Sequence, residues 1–194
     1  MTFDQVKSMI VASIKTPAIG AQQVLSVDLP RAALWTALTL LGVLNGMYYG
    51  MILPGAAQAG VIPAGMANAP FVVTGAILII LALMVHLLVF TGRILGGTAT
   101  IDAMLKVVVW LQGLRLLAQV VISVLSLAIP PLGWLVAMAV GVWGLWMMIV
   151  FIATAHNFTP IKGLGTLLGT FVAAIFALSI LSAILGLGTP TGEI

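Results

Sequence analysis

The chain contains no cysteine and very little charge. The absence of cysteine excludes disulfide bonds and thiolate metal sites. Among its 194 residues only seven are Lys or Arg and four are Asp or Glu, so charged residues make up 6% of the sequence. Soluble domains carry about a quarter. No water-soluble fold could cover its surface with so few charges, and the hydrophobic share of 62% indicates an integral membrane protein.

Five apolar segments have the length of about 20 residues that a bilayer-crossing helix needs. They are residues 32–53, 70–92, 104–129, 132–154 and 164–187. Pro130-Pro131 predicts a tight hairpin between the third and the fourth, because two prolines cannot continue a helix interior. The expected fold class is all-α: a polytopic membrane bundle of five helices over residues 31–187. An amphipathic segment, residues 1–30, precedes it, and a short outer tail, residues 188–194, follows it.

Six of the seven basic residues occupy alternate ends of these segments. Three precede the first segment, two flank the break between the second and third, and one lies between the fourth and fifth: Lys7, Lys15, Arg31, Arg93, Lys106 and Lys162. The connections 54–69 and 130–133 and the tail after Leu187 carry none. This alternation predicts a cytoplasmic N-terminus and a C-terminus outside. The basic residues behind the net charge of +3 are therefore expected to orient the protein in the membrane and to contact lipids. No nucleic-acid partner is expected.

Residues 2–16 have the pattern of an amphipathic helix. Thr2 and Gln5 are spaced as in a capping box, and Pro17 can begin a second short helix that runs to Val27. One face carries four apolar residues: Phe3, Val6, Ile10 and Ile14. Two placements are open. The segment lies on the inner leaflet, or it packs against the cytoplasmic ends of the bundle.

The third segment has one polar face. Five residues fall in a narrow arc at 100° per residue: Gln112, Arg115, Gln119, Ser123 and Ser126. Arg115 lies roughly 13 Å beyond Lys106 at the rise of an α-helix, and no segment contains Asp or Glu. Its partners must be carbonyls, amides, water, lipid headgroups or another protein. An arginine at this depth is either a hydrogen-bonding hub or a site for an anion, a lipid phosphate or a partner.

Two further polar residues lie inside the predicted spans. His86 lies about 10 Å inward from Arg93. It can share a polar cavity with Arg115 or be a buried histidine bonded to a carbonyl. Asn45 in the first span is expected to form an interhelical hydrogen bond.

Small residues recur every four positions on the first and last segments. They include Gly42, Gly46, Gly50, Gly165 and Gly169. Such stripes let helix backbones approach closely, either within one bundle or at an oligomer or partner interface.

Nothing in the spans predicts catalysis. Two histidines without cysteine form no metal signature, and no carboxylate pair is available for acid–base chemistry. The sequence predicts no enzyme activity, no cofactor and no metal.

Three short segments, together with the five-span topology, resemble a bacterial member of the Yip family, named for Ypt/Rab-interacting proteins. They are Lys15-Thr16-Pro17, residues 93–98 (Arg-Ile-Leu-Gly-Gly-Thr) and Ala155-His156-Asn157. The resemblance implies a helical membrane protein of a family whose eukaryotic members act through partners in vesicle trafficking and membrane shaping, without enzymatic activity. Asp28-Leu29-Pro30 does not match the Asp-Leu-Tyr-Gly-Pro motif of eukaryotic members, so the resemblance does not extend to GTPase binding.

The predicted function is that of a non-enzymatic scaffold or accessory protein of the bacterial inner membrane. Its expected partners are membrane lipids and a membrane protein, which includes a second copy of the chain. The alternative is a small transporter or channel that uses the Gln112, Arg115 and Gln119 face as an anion path.

Overall fold

The computed structural model describes residues 2–61 and 69–184, and every regular element within them is a helix. The helices are α1 (Phe3–Lys15), α2 (Pro17–Ser26), α3 (Arg31–Gln58), α4 (Pro70–Ile94), α5 (Ile101–Ala128), α6 (Pro130–His156) and α7 (Pro160–Ile184). Each of α3 to α7 is long and apolar enough to cross a membrane. The prediction of an all-α polytopic bundle is confirmed. The tail, residues 188–194, and the end of the fifth predicted span lie outside the described residues.

Local chemistry sets the helix ends. Thr2 and Gln5 form the predicted capping box, and the Thr100 hydroxyl accepts the backbone N–H of Ala103 at 3.2 Å. Helix α6 begins at Pro130 itself, so the prolines lie inside the helix start and only Ile129 separates α5 from α6. A proline fits there because the first turn of a helix has no intrahelical acceptor for its N–H.

The five long helices form a ring in the order α3, α4, α7, α6, α5, and α5 closes it against α3. Helix α4 also contacts α5 across the ring. The starts of α3 and α5 meet where the Arg31 guanidinium donates to the Asp102 carboxylate at 2.6 and 2.9 Å. At the same end, Lys162 at the start of α7 donates to the Leu95 carbonyl at the end of α4. We call this end, which carries Arg31, Arg93, Lys106 and Lys162, the basic end.

Helices α1 and α2 form a hairpin that packs on the outside of α5 and α6. The two helices cross closely because α2 carries Gly20 where a Cβ would lie 2.5 Å from the Ser13 Cα. Trp110 on α5 donates to the Ser13 hydroxyl at 2.9 Å, and Trp143 on α6 donates to the Ile14 carbonyl at 3.1 Å. Of the two placements that the sequence left open, the contacts favour packing against the bundle.

The hairpin lies along the flank of the bundle as well as at its end. Trp143 is 13 residues from the end of α6 at His156, or about 20 Å along the helix axis. The connection between α1 and α2 therefore reaches the middle of α6. Close to the basic end, the Lys106 ammonium donates to the Leu25 carbonyl at 3.1 Å and ties α2 to α5.

Most buried side chains lie in the half of the bundle next to the basic end. Followed from that end, the last buried residue is Gly46 on α3, Leu81 on α4 and Gln112 on α5. On α6 the run from Ile149 to Ala153 is buried, and farther along only Gly133 is buried, against Ser126. The described part of the opposite half thus contributes little to the core.

Candidate intramembrane polar site

Arg115 and Asn45 form a polar contact between α5 and α3. One terminal nitrogen of the guanidinium, Nη2, donates to Asn45 Oδ1 at 2.8 Å. Asn45 is fully buried, and its own Nδ2 donates to the Leu41 carbonyl of the preceding turn at 2.8 Å. That second bond fixes which atom of the amide faces Arg115. The arginine is therefore held by a preoriented acceptor on a neighbouring helix, as the interhelical role predicted for Asn45 requires.

The Arg115 side chain nevertheless remains exposed. Its exposure is not toward the outer face of α5. The exposed apolar residues of that face lie on the opposite side of the helix at 100° per residue: Leu117, Val121 and Val124. On the side of Arg115, two and three turns nearer the basic end, Val108 and Met104 are buried in the core. The guanidinium thus points toward the space that the ring surrounds.

The glutamines on either side of Arg115 are incompletely paired. Gln112 is buried, and its Oε1 has no hydrogen-bond partner. Gln119 Oε1 is also out of contact with solvent and unpaired. Neither amide bonds to Arg115. Because the oxygen and nitrogen of an amide exchange places by a half-turn, each side chain can present either an acceptor or a donor at this position.

The rest of the polar face of α5 serves contacts between helices. Ser123 shares a hydrogen bond of 2.9 Å with the Tyr48 hydroxyl on α3. Ser126 lies against Gly133 at the start of α6. The predicted arc therefore divides into a helix-joining part, Ser123 and Ser126, and an unsaturated part around Arg115.

His86 occupies a different environment. Its Nδ1 bonds to the Ala82 carbonyl of its own helix at 2.8 Å, and its ring stacks on Trp35 with centroids 5.9 Å apart. Because a carbonyl oxygen only accepts, Nδ1 carries the proton in this arrangement. The ring is exposed and has no hydrogen bond to Arg115. The structure brings Arg115 together with Asn45 of the first span, and places His86 with Trp35.

The glycine stripes face other helices of the same chain. A Cβ on Gly46 would overlap the Thr74 side chain on α4, and one on Gly42 would overlap Leu78. At Gly50 the nearest atom, on Pro70, is 3.9 Å from an added Cβ. On α7, Gly165 faces Leu95 and Gly169 faces Thr91, with added-Cβ distances of 3.3 and 3.7 Å. Packing inside the bundle accounts for Gly42 and Gly46 most directly, since a side chain at Gly46 would overlap Thr74 as far as its Cβ and one at Gly42 would require the end of Leu78 to move.

A second polar cluster, at the basic end, centres on His156. Its Nδ1 accepts the backbone N–H of Ala99 at 3.3 Å, and its Nε2 donates to the Leu88 carbonyl at 3.1 Å. This pairing requires the neutral ring with the proton on Nε2. The ring is almost completely buried, and a Cβ on either Gly92 or Gly97 would overlap it. We call these five residues, His156, Leu88, Gly92, Gly97 and Ala99, the His156 junction.

The segment 155–157 contains the end of α6, where Asn157 adopts the left-handed conformation at φ 59°. The burial of His156 was missed. A signal for it existed in the segments 93–98 and 155–157, which carried the family resemblance and which the structure brings into contact. Asn157 itself donates to the Thr98 hydroxyl at 2.9 Å and completes the link.

Among residues 2–61 and 69–184, no cluster of three or more His, Cys, Asp or Glu side chains is placed to hold a metal ion. The chemistry that the described polar groups offer is binding: a guanidinium with free N–H groups beside two unpaired amides.

The comparisons with known proteins give one match. Neither the curated proteins nor the solved structures contain a significant relative of this chain. The model of the Yip1 domain matches residues 12–181, which run from α1 into the last turns of α7 and include both segments of the contact between residues 93–98 and 155–157. The chain thus belongs to the Yip1-domain family of membrane proteins.

Proposed function

We propose that this protein is a non-enzymatic scaffold or accessory protein of the bacterial inner membrane, which acts through lipid and protein partners. Membership of the Yip1-domain family carries the proposal. The His156 junction supports it, since the contact joins two connections into one buried unit at the basic end. Such an end offers a fixed surface for partners without needing a reactive group.

The orientation that we propose places the basic end in the cytoplasm. Arg31, Arg93, Lys106 and Lys162 all lie there. Loops rich in Lys and Arg remain on the cytoplasmic side of a membrane protein. A partner would then meet the α1–α2 hairpin and the connections 95–100 and 157–159 from the cytoplasm, and the C-terminus would lie outside.

Site-specific photo-crosslinking in intact cells tests the partner surface. A photoreactive residue replaces Phe3 or Ile161 near the basic end, and the matched controls replace Phe71 or Leu127 toward the other end. All four side chains are more than four-fifths exposed. We expect one adduct of the same mass from both basic-end positions and none from the controls. Adducts of equal yield at all four positions would contradict a defined partner surface.

A transporter or channel is the competing function, and the exposed Arg115 guanidinium is the observation in its favour. Its test is anion flux in proteoliposomes of the purified protein. Flux that exceeds that of empty vesicles and disappears in Arg115→Gln would replace the scaffold by a transporter. If vesicles that contain the wild-type protein show no more anion flux than empty vesicles, the transporter or channel is refuted.

A further inference from the structure

Among residues 2–61 and 69–184, Arg115 has no carboxylate partner. The four acidic residues of the sequence are Asp4, Asp28, Asp102 and Glu193, and none lies between residues 103 and 192. Arg115 is 14 residues from the start of α5, about 21 Å along the axis, and therefore near the middle of a 28-residue helix. An unpaired charge at this depth is costly, and such residues pair, face water or bind a ligand.

The guanidinium has binding capacity left. It has five N–H donors, and within the part of the chain that the structure describes its one hydrogen bond, to Asn45, uses one of them. The side chain is exposed toward the ring interior, so the remaining donors are accessible from that space. Because Asn45 is itself fixed by Leu41, the contact holds the guanidinium in one orientation before any ligand arrives.

The buried amide of Gln112 is an independent sign of an absent partner. This side chain is 92% buried, with 8% of its surface exposed, yet its Oε1 is unpaired. An unpaired buried polar atom is costly, because it has lost its hydrogen bonds to water without gaining others. Gln119, one turn beyond Arg115, also has a buried Oε1 without a hydrogen-bond partner. After a half-turn each amide presents an N–H donor in place of its unpaired oxygen, and a guanidinium flanked by two such donors suits several oxygen atoms of one ligand.

The side chains next to these polar groups indicate which other chemical group the ligand carries. Beyond Gln112 on α5 and Leu81 on α4 no described side chain of these two helices is buried. Half-buried Ile77 and Leu78 on α4, and Ile122 on α5, form an aliphatic surface next to the polar residues of α5. A soluble anion would leave this apolar surface without a partner. An acyl chain would cover it, with its acidic head against the guanidinium.

We propose that Arg115, with Asn45, Gln112 and Gln119, binds the acidic headgroup of one anionic membrane lipid inside the helix ring. The phosphate of a phospholipid and the carboxylate of a fatty acid share the chemistry that the site recognises, since both accept two parallel N–H bonds from a guanidinium. This inference rests on the proposed function and specifies its lipid partner.

The test is native mass spectrometry of the full-length protein in mild detergent. The protein is exposed to phosphatidylcholine, phosphatidylglycerol and oleate, each alone at the same concentration. We expect retention of one molecule of phosphatidylglycerol or oleate at about tenfold lower concentration than phosphatidylcholine, which corresponds to one order of magnitude in affinity. Preference for phosphatidylglycerol assigns a phosphate to the site, and preference for oleate assigns a carboxylate.

The matched variants are Arg115→Gln and Arg93→Gln. Arg93 lies at the basic end and makes one long hydrogen bond, 3.4 Å to the Ala99 carbonyl. We expect Arg115→Gln to lose the anionic preference and Arg93→Gln to keep it. Where Arg115→Gln fails to fold, Arg115→Lys replaces it, and retention should then weaken without changing the order of the lipids. The wild-type comparison needs no variant.

Four outcomes would overturn the proposal. They are equal retention of the three lipids by the wild type, unchanged retention in Arg115→Gln, full displacement of the lipid by the same concentration of inorganic phosphate, and loss of a co-purifying polypeptide instead of a lipid. None of them removes the scaffold role, which the crosslinking experiment tests by itself. Conversely, anion flux would displace the scaffold while the lipid measurement still stands.

Discussion

The ring of His156 lies against Gly92, and the absence of a side chain at position 92 lets the ends of α4 and α6 meet. A Cβ on Gly92 would fall within the space of the imidazole. The close approach brings Nε2 of His156 to 3.1 Å from the Leu88 carbonyl, one turn before Gly92. The same ring stacks on Phe158, with centroids 5.0 Å apart, and Lys162 Nζ lies 5.8 Å from the Phe158 ring centroid. One histidine thereby connects α4, α6 and the start of α7.

Replacing His156 by alanine should destabilise the whole bundle. The Leu88 carbonyl and the Ala99 N–H would lose their partner in a buried place, each at a cost of about 1–3 kcal/mol. The measurement is the apparent melting temperature in detergent, compared with His86→Ala, whose ring is exposed. We expect a clear drop for His156→Ala and a smaller one for His86→Ala. A larger effect at position 86 would refute the structural role of the junction.

Replacing Gly46 by leucine should disturb the contact between α3 and α4. The added side chain would overlap Thr74, and overpacking of this kind costs about 1–3 kcal/mol. Gly141→Leu is the matched control, because no heavy atom comes within 4 Å of a Cβ added there. We expect the melting temperature to fall for Gly46→Leu alone. A change of oligomer size in Gly46→Leu at unchanged melting temperature would instead place this stripe at an interface between copies.

Features that depend on neighbouring residues in the sequence were predictable. The caps at Thr2 and Thr100 follow from side chains that bond their own helix ends, and the left-handed Asn157 follows from the tolerance of asparagine for that conformation. The five spans follow from length and apolarity. These signals act within a few residues and need no knowledge of which helices touch.

Features that depend on which helices pack against each other could not be predicted from the sequence. From the sequence alone, Arg115 could bond to any polar residue at the same depth in the membrane. Its partner is Asn45 and not His86 because α5 packs against α3. The burial of His156 depends in the same way on the meeting of α4 and α6 at two glycines. The periodicity of α1 indicated an apolar face, but not that Trp110 and Trp143 would hold its end against the bundle.

The orientation in the membrane can be measured with single cysteines, since the natural chain has none to react in the background. We expect Gln58→Cys and Ile194→Cys to react with a membrane-impermeant maleimide in intact cells. Arg93→Cys and Lys162→Cys should react only after permeabilisation, because both positions lie at the basic end. Labelling of Ile194→Cys only after permeabilisation would show a cytoplasmic C-terminus and refute the orientation.

Closure of the α1–α2 hairpin should depend on Gly20. A valine there would push against the Ser13 backbone, 2.5 Å from the added Cβ, and the two helices would separate. The readout is crosslinking by a short bifunctional maleimide between Ile14→Cys and Trp143→Cys, because the Trp143 indole contacts the Ile14 carbonyl.

We expect efficient crosslinking of this pair in the otherwise unchanged chain and a loss of yield when Gly20→Val is added. Gly75→Val serves as the control, since a Cβ at position 75 meets no atom within 4 Å. The pair Phe3→Cys and Trp143→Cys gives the background, because Phe3 lies 11 residues from Ile14, about 17 Å along α1. If Gly20→Val crosslinks as well as Gly75→Val, the close crossing at Gly20 is not what holds α1 on the bundle. Because Trp143 is a cysteine in these chains, the hydrogen bond from Trp110 to Ser13 would then be the bond left to hold α1.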